Sequence, residues 1–455
     1  MDGILAIVAP VFWGVVVFSL LVFVHEGGHF LAARACGVRV TEFFLGLPCR
    51  WRVYKQSKRI GTKFGVTPFL LGGYAAICGM DPDEAPHADR VLAAIHAHGT
   101  VDVNELAEEL GITSEEALDA AAFLLTWGSI APVYDVRKVE KPSGAFYPST
   151  YAALPRDAAG NTLYDGKRFD RAHATGEGEC WEYPGTPSEF LGHERARTYL
   201  GCGFLKRTAM LLAGIFVNIV TGFLLLMAVY SVIGVQAVDN STVLGAVTDG
   251  GPAAQAGIVA GDTVSAIGDT AVDTWSDLVT ALRAYEPGDT VEIAYEHDGV
   301  RSTADVRLSD EGTIGIRSSL ITRRLDPISS AKVAAAYVVS TAEGIARLVQ
   351  PAHTMEVLDQ STSVVGISVM SAEAAASGPA TFLTFMAMIS FSLGFMNLLP
   401  IPPLDGGKWF IEIIQVVLRR PVPTRAQMWV SYAGIALFGL LFIYLFRADI
   451  LRLLG

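Results

Sequence analysis

The sequence predicts a multi-pass α-helical membrane protein with four transmembrane helices and further folded segments on both sides of the membrane. Its 455 residues are 51% hydrophobic and have a mean hydropathy of +0.40, which is too apolar for an ordinary soluble enzyme of this length. Four stretches contain no Asp, Glu, Lys or Arg, and each is long enough to cross a hydrocarbon core of about 30 Å. They cover residues 4–24, 208–238, 374–404 and 426–446.

The first apolar stretch has a secretory signal peptide as its alternative interpretation. A signal peptide begins with basic residues and ends at a small-residue cleavage site, whereas this stretch runs into His25-Glu26-Gly27-Gly28-His29. Residues 1–37 are therefore predicted to stay in the protein as the first transmembrane helix. The other three helices are expected within 204–238, 374–420 and 426–450.

Basic residues predict the orientation in the membrane. Residues 34–63 hold eight basic residues against one acid, Glu42, and the loop at 405–425 adds Lys408, Arg419, Arg420 and Arg425. Because short loops rich in Lys and Arg stay in the cytoplasm, both loops are expected on the cytoplasmic side of the cell membrane. Four crossings then place both termini and residues 240–320 outside the cytoplasm.

Several segments outside the four helices have patterns of their own. Residues 38–80 are rich in Val, Phe, Tyr and Gly and predict short strands beside the membrane. Residues 88–135 alternate helical patterns with a Gly111 turn, an order typical of a small winged-helix-like unit, and residues 136–194 show no clear period. Residues 240–320 predict a compact β domain with one helix from Trp275, and residues 321–373 a helical linker.

The insertion at 81–200 is strongly acidic, with 21 acidic and 10 basic residues in a chain of net charge −12. A nucleic-acid surface needs the opposite charge, so no nucleic-acid partner is expected. The insertion is interpreted as a cytoplasmic protein-contact module that covers or regulates the mouth of an active site, and a bystander domain on a flexible tether is the alternative.

The chemical signal is the HExxH motif on the first helix. Residues four apart share a helix face, so His25 and His29 can offer two imidazoles to one Zn²⁺ while Glu26 reaches a metal-bound water. Ionisable groups in a membrane helix are costly unless they serve a site. A third ligand is needed, and Asp405 is the best candidate because it alone interrupts the apolar run at the end of the third helix.

Asp405 lies in the motif Asn397-Leu-Leu-Pro-Ile-Pro-Pro-Leu-Asp405-Gly-Gly. An HExxH on the first helix followed by this motif on a later one resembles the site-2 protease family of intramembrane zinc metalloproteases. The resemblance implies Zn²⁺ bound by His25, His29 and Asp405, with Glu26 as general base. It also implies single-pass transmembrane protein substrates and regulated intramembrane proteolysis, such as the cleavage of anti-sigma factors.

The resemblance extends to residues that would bind substrate. Gly72-Gly73-Tyr74 matches the family's re-entrant β segment, and Asn218 and Asn397 lie in matching helical motifs; hydrogen bonding between helices is the alternative role for Asn218. The family often has Pro where this chain has Ile215. Residues 240–320 are similar to a single PDZ domain that would either bind substrate peptides or exclude them.

Two other functions stay open at this point. One is a membrane zincin of another family, and the other is a non-catalytic membrane scaffold or sensor. The sequence does not identify the substrate or the oligomeric state.

Overall fold

A computed structural model describes residues 2–49, 51–80, 85–134, 147–420 and 422–454. The chain forms two compact units, Met1–Leu225 with Ala334–Gly455, and Leu226–Val333.

The first unit begins with helix α1 (Asp2–Cys36) and a four-stranded sheet. The strands are β1 (Val40–Leu45), β2 (Val53–Gln56), β3 (Lys63–Val66) and β4 (Gly73–Ile77). They lie in the order β2-β3-β1-β4, so β4 is an edge strand, antiparallel to β1. Phe43 and Phe64 on one face of the sheet pack against Phe30 of α1.

The segment 85–200 forms a folded body with its own core. Its helices are α2 (Ala88–His98), α3 (Val103–Leu110), α4 (Ser114–Thr126) and α5 (Pro187–Arg195), and its sheet has the order β5-β7-β6, with β5 (Thr100–Asp102), β6 (Ile130–Val133) and β7 (Thr150–Ala153). Residues 147–194, part of the segment without a clear period, are irregular apart from β7, a 3₁₀ turn at Leu163–Arg168 and α5; residues 136–146 lie outside the described part. The winged-helix-like character of 88–135 stays a prediction.

A buried ion network joins this body to the segment that follows α1. Arg39 binds Asp165 (2.7 and 2.9 Å) and Glu194 (2.6 Å), and Arg156 binds Glu194 from the other side at 2.7 and 3.0 Å. Arg34 also donates to the Tyr164 carbonyl at 2.6 Å. The insertion therefore contacts the basic 34–63 region through buried, paired charges, which argues against a flexible tether.

Helix α6 (Phe204–Ala228) follows and leads into the second unit. That unit contains short helices α7 (Pro252–Gln255) and α8 (Trp275–Leu282), the latter where a helix was predicted. Its strands are β8 (Val235–Val238), β9 (Leu244–Val247), β10 (Thr263–Ile267), β11 (Thr270–Ala271), β12 (Thr290–His297), β13 (Val300–Arg307), β14 (Ile316–Ser318) and β15 (Leu320–Arg323). Strands β11-β10-β12-β13 form one sheet, and β14-β9 and β15-β8 form two-stranded sheets.

Six helices complete the chain: α9 (Pro327–Leu348), α10 (Thr354–Gln360), α11 (Val364–Ala376), α12 (Pro379–Asn397), α13 (Asp405–Leu418) and α14 (Thr424–Leu454). Four helical spans in the described residues are long and apolar enough to cross a membrane, as predicted. They are Val8–Cys36, Phe204–Ile233, Pro379–Asn397 and Thr424–Leu451.

The structure corrects one detail of the third helix. The uncharged run 374–404 does not form one helix ending at Asp405, because α12 begins at Pro379 and ends at Asn397. The proline-rich stretch that follows cannot continue an α-helix. Asp405 is instead the first residue of α13.

Candidate metal centre

Helix α1 supplies two of the three candidate ligands. It continues without interruption past the HExxH motif to Cys36, so His25 and His29 lie one helical turn apart on the same face. The residues are only 5% and 7% exposed. Two buried imidazoles on one face of a membrane helix need polar partners.

Those partners come from a distant part of the chain. Asp405 Oδ2 lies 3.0 Å from His25 Nε2 and 3.0 Å from His29 Nε2, and the two nitrogens are 3.2 Å apart. A tetrahedral ion with ligands at 2.0–2.1 Å would hold such atoms about 3.3 Å apart. The three side chains therefore match the donor set and spacing of a zinc site with an open fourth position.

Hydrogen bonds to the Nδ1 atoms of the two imidazoles determine whether their Nε2 atoms can bind a metal. His29 Nδ1 lies 2.8 Å from the Met210 carbonyl oxygen, which can only accept, so Nδ1 carries the proton and Nε2 presents a lone pair. His25 Nδ1 lies 3.2 Å from the Asn218 amide, whose Oδ1 is buried without a partner. The alternative amide orientation lets Oδ1 accept the Nδ1 proton, which gives His25 the same tautomer.

Asp405 reaches the site because of the turn before it. Pro402 and Pro403 lie in this turn, and Leu404, the last residue before the helix, is extended. Gly406 and Gly407 allow the new helix to pack against the turn. A Cβ on Gly406 would lie 2.2 Å from the Leu398 oxygen. The second carboxylate oxygen, Oδ1, faces Lys408 with the ammonium 3.9 Å away.

Glu26 lies between the imidazoles and the edge strand. It is half-buried, interacts electrostatically with His25, His29 and Asp405, and its Cγ is 3.8 Å from where a Cβ on Gly73 would stand. A carboxylate at this position can exchange protons with a water that lies between the ligands and β4.

The predicted substrate-binding residues differ in their placement. Gly73 and Tyr74 lie on β4, directly after Gly72, and the Tyr74 hydroxyl donates to Glu42 at 2.8 Å while its ring stacks on Phe44. The side chain of Asn397, at the end of α12, donates to the carbonyl of Leu393 in its own helix at 2.8 Å. The side-chain amide of Asn218 contacts Nδ1 of His25, a candidate metal ligand, at 3.2 Å.

Comparison with known proteins agrees with this arrangement. The sequence profile of peptidase family M50 matches residues 13–441. The chain belongs to peptidase family M50. The predicted resemblance to the site-2 proteases is thereby confirmed, and this M50 chain is a zinc metalloprotease and a multi-pass membrane protein.

Relatives of this M50 protease match along nearly their whole length. A zinc metalloprotease RasP of Geobacillus kaustophilus is 28% identical over 446 residues, covering 96% of each chain. The regulator of sigma-W protease RasP of Bacillus subtilis is 24% identical, covering 96% of this chain and 97% of its own. A solved PDZ domain of an SdrC-like protein of Listeria monocytogenes is 29% identical over 19% of this chain and 94% of its own, with a TM-score of 0.16.

Two glycines that sequence reasoning did not assign bring the helices of the M50 site together. A Cβ on Gly214 of α6 would lie 2.4 Å from His29 Nε2 and 2.8 Å from His25 Nε2, and a Cβ on Gly28 of α1 would lie 2.6 Å from the Ala213 oxygen. Small residues at such contacts allow membrane helices to approach closely. In the sequence, Gly28 lies inside the HExxH motif and Gly214 lies four residues before Asn218, but neither position specifies the helix that it contacts.

We expect Gly214→Ala to weaken zinc binding by about 10–100-fold, the range for disturbed residues that support metal ligands. The added methyl group would occupy the space of the His29 imidazole. Zinc affinity of the purified protein measures this, and Gly439→Ala on α14, where a Cβ would meet nothing within 4 Å, is the control. Equal affinities in both variants would contradict the close approach.

Proposed function

We propose that this M50 protease hydrolyses peptide bonds of single-pass transmembrane proteins within or beside the membrane, as a step of regulated intramembrane proteolysis. The observation that carries the proposal is the placement of Glu26, which lies beside the three candidate ligands and beside Gly73 of the edge strand β4. Bound zinc would supply a Lewis acid for the scissile carbonyl and a water of lowered pKa.

The chain's own residues would have distinct roles. His25, His29 and Asp405 would hold the ion, with Met210 and Asn218 fixing the two imidazole rings. Glu26 would accept the proton of the attacking water and then deliver it to the nitrogen of the leaving amine. The burial of the cluster limits competing solvent, which strengthens these electrostatic interactions.

The edge of β4 suits an extended substrate. The Gly46 N–H donates to the Gly72 oxygen at 2.7 Å, so Gly72 faces β1. Because residues of an antiparallel pair alternate in direction, the N–H and C=O of Gly73 point toward the free side of β4. No other strand pairs with that side in the described part of the chain. A substrate strand added there would expose its carbonyls beside Glu26, which a helix would conceal.

We expect Gly73→Pro to lower turnover without removing zinc, because proline deletes an N–H that points to the substrate and not to β1. Gly73→Ala is the matched control, since it adds the same Cβ, 2.9 Å from the Phe44 oxygen, yet keeps the N–H. Turnover and zinc content of both variants are measured. If Pro and Ala reduce turnover equally, steric strain and not strand pairing explains the loss.

The proposal also covers the orientation of the protein in the membrane, the role of the second unit and the class of substrate. The basic 34–63 and 405–425 loops favour an active site toward the cytoplasm, with both termini and the PDZ-like residues 240–320 outside. That unit would bind or exclude substrate peptides. A relative's name, regulator of sigma-W protease, supports an anti-sigma factor as substrate class.

The 81–200 insertion would act as a cytoplasmic protein-contact module near the active-site mouth. Its attachment through Arg39, three residues after the end of α1 and in the same unit as the candidate ligands, supports this role. Its exposed acidic helices α3 and α4 disfavour nucleic acid and anionic lipid.

The proposed function is tested by Asp405→Ala. Only two imidazoles would be left to hold the ion, so we expect zinc content to fall from one per chain to near zero and cleavage of a single-pass reporter protein in vesicles to stop. Asp310→Ala, an exposed turn residue of the second unit, should change neither. Full zinc occupancy in the Asp405 variant would require a different third ligand.

A further inference from the structure

Lys408 is a cation beside the metal centre that none of the assigned roles uses. It lies in the first turn of α13, three residues after Asp405, and its ammonium is 3.9 Å from Oδ1, the oxygen that does not face the imidazoles. That separation is longer than a hydrogen bond. Its side chain is 48% exposed, so the ammonium is free to move toward a bound ligand.

The position of Lys408 relative to Glu26 gives it a possible role. Its ammonium lies 3.9 Å from the Asp405 carboxylate and also interacts electrostatically with Glu26, so Lys408 is a cation close to both carboxylates. It also lines a cavity of about 380 Å³ together with Met80, which follows β4, and with Pro402 and Glu412. The cavity leaves room for the ammonium to change its direction.

Another cation near this cavity is already engaged. Arg207 lies 3.1 Å from the buried carboxylate of Glu412, which also accepts from the Tyr199 hydroxyl at 3.2 Å. Lys408 has no comparable partner among the described residues once the charge of Asp405 is taken up by a metal. It can therefore donate to an anionic group that forms during the reaction.

We propose that Lys408 is a further catalytic residue that binds the scissile carbonyl oxygen as it gains negative charge. When water adds to the carbonyl carbon, the C=O π electrons move to the oxygen, and the ammonium donates a hydrogen bond to that oxygen without transferring its proton. The charge returns to the C=O bond when the C–N bond breaks and the amine leaves with the proton held by Glu26. This inference rests on the proposed function.

Removing a group that stabilises such an oxyanion lowers kcat by about 10²–10³-fold. We expect this loss for Lys408→Met at saturating zinc, and substantial recovery for Lys408→Arg, which keeps the cation. Lys206→Met removes an exposed cation at the start of α6 and should leave kcat unchanged.

Binding separates this role from a structural one. The affinities of two peptides are measured on the Glu26→Gln protein with and without Lys408→Met. A phosphinic peptide imitates the anionic tetrahedral intermediate, and the amide peptide of the same sequence represents the substrate before reaction. Lys408→Met should lower the affinity for the phosphinic peptide by about 10²-fold and leave the affinity for the amide peptide unchanged.

Wild-type kcat in Lys408→Met, or equal loss of affinity for both peptides, would overturn the assignment. A variant that only changes zinc affinity would show that Lys408 merely balances the charge of Asp405, and would also overturn it. A failure of the proposed function would be recognised by a different result, because the Glu26→Gln protein would then still cleave the substrate.

Discussion

Glu26→Gln should retain zinc and lower kcat by about 10²–10⁴-fold, the contribution of a positioned general base. The substitution keeps the size and polarity of the side chain but removes the carboxylate that we propose takes the proton from water. The candidate ligands His25, His29 and Asp405 are untouched, so the metal content should stay at one per chain. Cleavage of a single-pass reporter in vesicles and zinc analysis of the same preparation measure both quantities.

The matched control is Glu373→Gln, which neutralises an exposed acid on the apolar helix α11 and should cleave at the wild-type rate. Substantial turnover by Glu26→Gln would assign the base to another group. Loss of zinc in that variant would instead mean that Glu26 contributes to the ligand set.

Glu194→Gln should destabilise the 81–200 insertion by about 3–5 kcal/mol, the cost of breaking a buried ion pair from one side. Glu194 is fully buried between Arg39 and Arg156, and the neutral amide leaves two guanidinium groups without their shared anion. Pulse proteolysis of the full-length protein in urea measures the loss. Glu182→Gln, an exposed acid nearby in sequence, is the control.

The same network predicts a dependence on pH. Burial opposes ionisation of Glu194, but Arg156 and Arg39 outweigh it and hold the pKa of that carboxyl well below its ordinary value. A depressed pKa contributes stability that is fully present above the unfolded value of about 4.3. We expect this contribution to disappear as the pH falls from about 4.3 toward the lower folded pKa, and Glu194→Gln should lack the dependence. An unchanged acid transition in the variant would contradict it.

His96 shows how the same network affects a histidine. Because burial and the neighbouring Arg156 lower the pKa of His96 to about 3, it stays neutral at physiological pH, and Arg156 Nε donates to its Nε2 at 3.1 Å. Trp181 and Phe190 pack edge-on against the ring, which is buried in the core of the insertion.

The sequence alone determined the features that depend on local pattern. Uncharged runs long enough to cross a membrane predict helices because backbone groups must be satisfied inside the hydrocarbon core, and all four spans are found. The HExxH spacing places His25 and His29 together because helical residues four apart share a face. Asp405 could be inferred as the candidate third ligand only through its motif, since it lies 376 positions after His29 in the chain.

Tertiary structure decided everything that depends on which distant surfaces meet. Gly28 and Gly214 specify a helix contact only once α1 and α6 are paired, and the Met210 carbonyl carries no side-chain signal at all. The status of β4 as an edge strand follows from the order of the sheet, which alternating polarity does not encode. The partners of Arg39 lie 126 and 155 residues away, and a charge that looks solvated in sequence becomes buried because those partners fold around it.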